Sequence, residues 1–387
     1  MNKQAIFQNI DSREPQLFSM ACQIFDNPEC RGKEFFAAGL LTKSLEEVGF
    51  VVETGVGGEP ASFRATWENG EGGPNIGLLG EYDALEQQGH ACGHHLQTPA
   101  AIGAAIAIKE AFAGSRYPFK LTVYGTPAEE TYGGKIKMAE KGCFRELDIA
   151  LASHATRMSA FVGGSSMALN SYIVTFHGKA AHAAGLPWEG RSAGDAMFLS
   201  FNGVEHMREH VKDGTRMHYT VKEAMGPSNI VPDKAVAGYT LRSRDTAYLQ
   251  ELHAWFMDVL KGACLMTQTT CDILQQPSFA ARKKNLVLSQ LAKDNYDLLG
   301  VPVCQELVRD SGGSTDFGNV SGIVPGILVY LPYVDAPGHS PAWVEAGKTE
   351  DARRCMTESA KVMAGIIFDL LQDPEKIKQA KEEFDRY

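Results

Sequence analysis

The sequence predicts an α/β protein with a mixed sheet covered by helices on both faces and a smaller α+β domain inserted into it. Three observations predict it. Short apolar strands alternate with helical stretches from about residue 50 to 154 and again after about 283, the texture of a sheet with helices on both sides. Between them the texture changes to long alternating strands in the order β-α-β-β-α-β, which is the ferredoxin-like arrangement. Finally, 387 residues exceed what one compact core usually holds. The expected domains are 1–165 with 280–387, and an insert at 166–279, a typical domain size.

The elements follow in order. Residues 12–27 read as an amphipathic helix. A second runs from Lys33 to Val48, with Phe35, Phe36, Leu40, Leu41, Leu45 and Val48 at helical spacing. Strands are expected at 50–53, 62–67 and 76–79. An Ala-rich helix with Pro99 near its start covers 99–113. A strand at 119–124, a helix at 134–142 and a strand at 148–154 complete the first half. In the insert, a strand at 167–177 leads through a Gly/Ala-rich loop to a helix at 191–212. Strands at 216–223 and 234–243, a helix at 246–263 and a strand at 268–276 follow. The last stretch holds a helix at 284–298, strands at 303–308 and 327–331, and a helix at 348–371.

Composition excludes several classes. A formal charge of −10 and a pI near 5.6 leave no basic stripe for phosphates, so no nucleic-acid partner is expected. The longest apolar run, Ala100 to Ile108, is too short to span a bilayer, and the first nine residues lack the apolar core of a secretory signal. Eight cysteines are scattered without a C-x-x-C pair, which suits reduced thiols in the cytoplasm.

The chemistry centres on Gly80-Glu81-Tyr82-Asp83-Ala84-Leu85 and Gly89-His90-Ala91-Cys92-Gly93-His94-His95, between a buried strand and a buried helix. Cys92 and His94 flank a glycine, so both can face one ion from a tight turn. Either alone is more simply a buried thiol or a hydrogen-bonded imidazole. With Glu129-Glu130, His154 and His339, each at a strand end or loop, the donors suffice for two divalent ions about 3.5–4 Å apart with one bridging ligand. A thiolate can bridge, and the mix of N, O and S donors suits zinc or manganese. Two adjacent glutamates after a buried strand divide labour: one ligates, the other handles protons beside a metal-bound water. Asp83 is placed to orient an imidazole.

These motifs, D-A-L…G-H-A-C-G-H, P-A-E-E, S-H-A, G-K-A-A-H-A-A-G-L-P-W-E-G-R-S, S-N-I-V-P-D, G-S-T-D-F-G-N-V-S and G-H-S-P, run in order from about residue 75 to 345. In combination they resemble the M20 metallopeptidase/amidohydrolase family, most closely the branch of aminobenzoyl-glutamate hydrolases and aminoacylase-1-like proteins. The resemblance implies a zinc-peptidase-like catalytic domain and an inserted lid through which two copies form a homodimer. It implies metal ligation by Cys92, His94, Glu130, His154 and His339, with Glu129 as general base and acid. It also implies that His182 of one lid stabilises the oxyanion in the other subunit's site, while Asn229 and Arg242 hold the substrate's amide and carboxylate. A His donor at a developing oxyanion and an Arg fork for a carboxylate are physically apt. The bland alternative for Arg242 is a solvated strand residue.

Two positions depart from the family pattern. His95 stands where Asp or Asn is usual, adding an imidazole beside a ligand. Glu86 replaces a proline, which loosens the loop. His206-Met207-Arg208-Glu209-His210 fits the H-x-x-E-H pattern, but on a charged helix a solvated face explains it better. Gly133-Gly134-Lys135 lacks the spacing of a phosphate loop. The function expected is hydrolysis of the amide in a small N-acyl amino acid or aminobenzoyl-glutamate-like molecule. Its rivals are a dipeptidase on the same site and a non-catalytic binding protein on a degenerate scaffold, which would lack a ligand or base.

Overall fold

The computed structural model describes residues 2–160, 165–224, 226–304 and 313–386. The chain divides into two compact units. One holds Ser166–Ala281 with Gly313 and Ser314, and the other holds the remaining described residues.

In the larger unit, α1 (Lys3–Asp26) begins nine residues before the expected helix. The Asn2 side chain caps it, accepting from the Ala5 amide at 2.9 Å, and Ile6, Phe7 and Ile10 extend its buried face. α2 (Phe35–Glu47) buries Ala37, Ala38, Leu41 and Leu45. Phe35 and Phe36 do not join that face; both are exposed. The strands β1 (Val51–Thr54), β2 (Phe63–Asn69) and β3 (Asn75–Gly80) follow, then α3 (Gln97–Phe112), β4 (Phe119–Gly125), α4 (Gly134–Glu140), β5 (Ile149–Thr156) and the short β6 (Ser159–Ala160).

The smaller unit comprises β7 (Ala168–His177), α5 (Ala193–Arg208), β8 (Arg216–Glu223), β9 (Lys234–Ser243), α6 (Thr246–Thr267) and β10 (Thr270–Gln275). Its four strands pair antiparallel in the order β10-β7-β9-β8, the ferredoxin-like sheet. Alternate residues Tyr172, Val174 and Phe176 of β7 and Ala237, Tyr239 and Leu241 of β9 meet Met197, Leu249 and Phe256 of the two helices.

The chain then returns through α7 (Leu286–Leu299), β11 (Val303–Cys304), α8 (Phe317–Ser321), β12 (Gly326–Pro332), α9 (Pro341–Glu345), α10 (Glu350–Gln372) and α11 (Glu375–Phe384). β11 pairs with β6 in parallel; the rest of the strand expected at 303–308 lies outside the described residues. Among the described residues the main sheet has the order β1-β2-β4-β3-β5-β12, mixed because β2 runs antiparallel to both its neighbours, β1 and β4, while β4, β3, β5 and β12 are mutually parallel. Leu78, Val123, Leu151 and Val329 face a core closed by α1, α3 and α10. Their neighbours Leu79, Tyr124, Ala152 and Leu328 face a second core with Met138, Phe144 and Phe317. A sheet buried on both sides explains the continuous apolar runs of its parallel strands. It also aligns the carboxyl ends of β3, β4, β5 and β12 along one edge, where α/β sheets keep their sites.

Candidate metal centre

The segment after β3 turns at Gly93, whose φ is +76°. A Cβ there would come within 2.9 Å of the Ala155 methyl, so the turn between Cys92 and His94 requires glycine. The buried Asp83 carboxylate ties two loops together. Its Oδ1 accepts from His94 Nδ1 at 2.9 Å and its Oδ2 from the Glu130 amide at 2.9 Å. Nδ1 of His94 is thereby committed, and Nε2 is left to act as a ligand. His154 is held in the same sense, its Nδ1 lying 2.6 Å from the Ala155 carbonyl. Ala128 and His339 both have φ of +60°, an uncommon conformation for residues with a Cβ that sets the loop entering Glu129 and the imidazole after β12. The His339 amide is anchored on the Ala91 carbonyl at 3.0 Å.

These constraints gather the ligands expected from the sequence into two overlapping groups. Cys92, His94 and His154 place one donor atom each within 4.8 Å of one another, and so do Cys92, Glu130 and His339. Cys92 is common to both, its Sγ 3.5 Å from His154 Nε2 and 3.3 Å from His339 Nε2. Glu129 joins His94 and Glu130 in a third such group. The donors fit a cation better than they fit one another. His94 Nε2 and Glu130 Oε1 are buried without a hydrogen-bond partner, although Glu81 Oε2 is 3.2 Å from the first and His339 Nε2 3.1 Å from the second. Short distances off hydrogen-bond geometry are what ligands aimed at a common point produce.

Electrostatics separates the two glutamates. Burial alone would raise Glu130, but the nearby His339 and His94 imidazoles hold it down at about 2. Glu129 moves the other way, far above the usual carboxylate range, through burial and then the fields of Glu81 and Asp316. Burial also raises the Cys92 thiol and lowers His154.

His182, Asn229 and Arg242 belong to the smaller unit. The loop of His182 pairs with the segment of Asn229: the Ala183 amide donates to the Asn229 carbonyl at 2.9 Å. His182 Nδ1 accepts from the amides of Gly185 at 3.0 Å and Ala184 at 3.3 Å, which places the proton on the exposed Nε2. Arg242 sits near the far end of β9, half-buried, and donates to Ser314 Oγ at 3.0 Å. It is therefore not a solvated strand residue. Lys234, whose strand partner His177 leads into the His182 loop, lies eight positions before Arg242, roughly 26 Å along a strand.

His95 is turned away from ligation. Its Nε2 lies 2.9 Å from the Gly347 carbonyl, and the ring packs on Phe25 and His90. Glu86 pairs with the exposed Arg31, and Leu85 and Gly89 exchange two 2.9 Å backbone hydrogen bonds. His206, Glu209 and His210 are exposed at the end of α5, as expected of a solvated face. Sequence reasoning missed Glu81, Lys135 and Asp316, a buried charged group beside Glu129. Glu81 and Asp316 lie inside motifs already singled out, but nothing local marks Lys135 as buried.

The model of peptidase family M20/M25/M40 matches residues 73–355. The chain belongs to this family. The mouse Xaa-Arg dipeptidase is 32% identical, over 99% of this chain and 92% of that protein. A p-aminobenzoyl-glutamate hydrolase polypeptide of Escherichia coli is 29% identical, over 97% of this chain and 93% of that protein. A solved structure from Bacillus subtilis, described as a dinuclear metal binding peptidase from the M20 family, superposes with a TM-score of 0.71 at 17% identity, covering 94% of this chain and 99% of that one. Like its M20 relatives, the protein is a hydrolase. Among the described residues no helix is long and apolar enough to cross a membrane.

Proposed function

We propose that this M20 hydrolase uses two divalent ions, zinc or manganese, to cleave the amide of a small N-acyl amino acid, an aminobenzoyl-glutamate-like molecule or a dipeptide. One observation carries the reading: two three-residue donor groups share Cys92, and Glu129 stands against one further member of each, His94 and Glu130, and against a separate cluster of charge. Cys92, His94 and His154 would hold one ion, and Cys92, Glu130 and His339 the other. Bound there, the ions supply Lewis acidity and an activated water.

This chain's residues do the rest. Glu129, with its raised proton affinity, accepts a proton from the attacking water at a carboxylate oxygen and delivers it to the nitrogen of the leaving amine. Asp83 fixes the tautomer of His94 and the position of Glu130 at once. His182, with Nδ1 accepting and Nε2–H exposed, is a donor suited to the oxyanion. Arg242 offers a fork to a carboxylate, and Asn229 an amide partner. A dipeptide ending in arginine and aminobenzoyl-glutamate share one feature, a free carboxylate beside the amide nitrogen. The spacing of the His182 loop and Arg242 along β9 is too long for one lid to offer both to one small substrate. That separation supports a homodimer in which His182 serves the other subunit. Seven free cysteines among the described residues support the cytoplasm as its compartment.

The similarity to a dipeptidase over nearly the whole chain favours a second reading, in which the acyl group is itself an amino acid. One experiment ranks the two. The protein is stripped with chelator, reloaded with manganese or zinc, and assayed on aminobenzoyl-glutamate, N-acetyl amino acids and dipeptides ending in arginine. Turnover that disappears with chelator and returns with metal is expected. A folded, reloaded protein that binds metal but cleaves none of these would overturn the substrate class. A folded protein that binds no metal would overturn the centre.

A further inference from the structure

Glu81, Glu129 and Asp316 each place a carboxylate oxygen within 4.8 Å of the others, a group with the spacing of a third cation site. Three buried carboxylates so close repel strongly unless a cation stands among them. Here the cation is covalently attached. Lys135, 1% exposed, sets Nζ 2.6 Å from Glu81 Oε1 and 2.7 Å from Asp316 Oδ1. Its own amide donates to Asp316 Oδ2 at 3.0 Å, so Asp316 grips this residue at both ends. Gln97 Nε2 holds the other oxygen of Glu81 at 2.8 Å. Desolvation would neutralise a lone buried lysine, but Asp316, Glu81 and Glu129 together keep this one charged. An ammonium has three donors, and two are spent on Glu81 and Asp316. Glu129 is the member of the group left without a full partner.

We propose that Lys135 is a positioning residue: its ammonium stands where a third divalent ion would sit and keeps Glu129 out of metal ligation, so that its carboxylate remains available to the attacking water. This rests on the reading of Glu129 as the general base. A divalent ion in the same place would engage the lone pairs of Glu129, because divalent ions collect several carboxylate oxygens. A tethered monovalent charge satisfies the two structural acids and leaves the third free to work.

The test counts metal as well as turnover. Lys135→Ala is dialysed against manganese chloride beside the wild type, and metal per chain is measured by atomic emission. One additional manganese per chain is expected. kcat should fall about 10–100-fold while KM stays within about threefold, the signature of a lost base rather than lost binding. Lys135→Arg should restore the wild-type metal count and most of kcat. Should Lys135→Ala not fold, Lys135→Met replaces it, because it keeps most of the side-chain volume and removes only the charge, and the same extra manganese and the same fall in kcat are expected. A wild-type metal count in whichever variant folds would overturn the proposal, whatever its kcat. Failure of the base reading looks different: Glu129→Gln would then keep its activity whatever the metal count of the lysine variants.

Discussion

The two units present their chemistry in opposite ways. In the larger one, four of the five candidate ligands are gripped by a neighbour: Asp83 on His94 and Glu130, Ala155 on His154, Ala91 on His339. His94 is fully buried, the tautomers of His94 and His154 are set, and only His339 is exposed. In the smaller one, His182 is exposed and Arg242 half-buried, and the two are separated along β9. The first region gathers its donors around one point; the second offers them singly.

The largest effect should come from the rigid side. Glu129→Gln keeps the shape and removes the base, so kcat should fall about 10²–10⁴-fold. Metal content, measured by atomic emission, should not change, since Glu129 is outside both groups that share Cys92. Loss of a metal ion in this variant would make Glu129 a ligand and erase its distinction from Glu130.

The detached side gives the next. His182→Ala should lower kcat about 10²–10³-fold, the cost of one oxyanion donor. The comparison between units sharpens when this variant is mixed with Glu129→Gln under conditions that exchange subunits. If His182 acts across a dimer, each mixed dimer regains one site with both residues intact. Random exchange then returns about a quarter of wild-type activity. Activity no higher than the sum of the separate variants would confine His182 to its own chain.

Much of this contrast was legible in the sequence, for a physical reason. Cys92, Gly93 and His94 carry their geometry within three residues, and the adjacency of Glu129 and Glu130 puts both carboxylates beside His94. Lys135 could not be read this way. Its fate is set by Asp316, 181 positions on, and a lysine two residues after Gly133 reads as solvated until that contact exists. The same holds for Phe35 and Phe36, whose helical spacing predicted burial. The pattern shows which residues share a face but not whether another element covers it.

A smaller effect tests the grip itself. Asp83→Asn keeps the volume but removes the charge that holds His94 and the Glu130 amide. Metal affinity should fall about 10–100-fold, read as a competition titration with a chromogenic chelator. An affinity unchanged within error would mean that the ligands hold their positions without Asp83, and that the rigid region is rigid for another reason.

The last prediction leaves catalysis alone and asks what that rigidity costs. Glu34 is fully buried behind Asp83, with Oε1 accepting from the Gly32 amide at 3.0 Å and Oε2 without a hydrogen-bond partner. Burial, then the Asp83 charge, raises its carboxyl from 4.5 to about 7. The folded chain thus holds this proton more tightly than the unfolded chain does. Between about pH 4.5 and 7 the unfolded state has released the proton and the native state has not, so stability falls as pH rises through that window. The loss is on the order of 3 kcal/mol, complete above pH 7 and absent below 4.5. Glu34→Gln cannot ionise and keeps the Gly32 hydrogen bond. Its denaturant midpoint should therefore match the wild type near pH 5 and exceed it near pH 8. Parallel pH profiles for the two proteins would mean that Glu34 is ionised in the fold, and that the charge behind the metal centre is arranged otherwise.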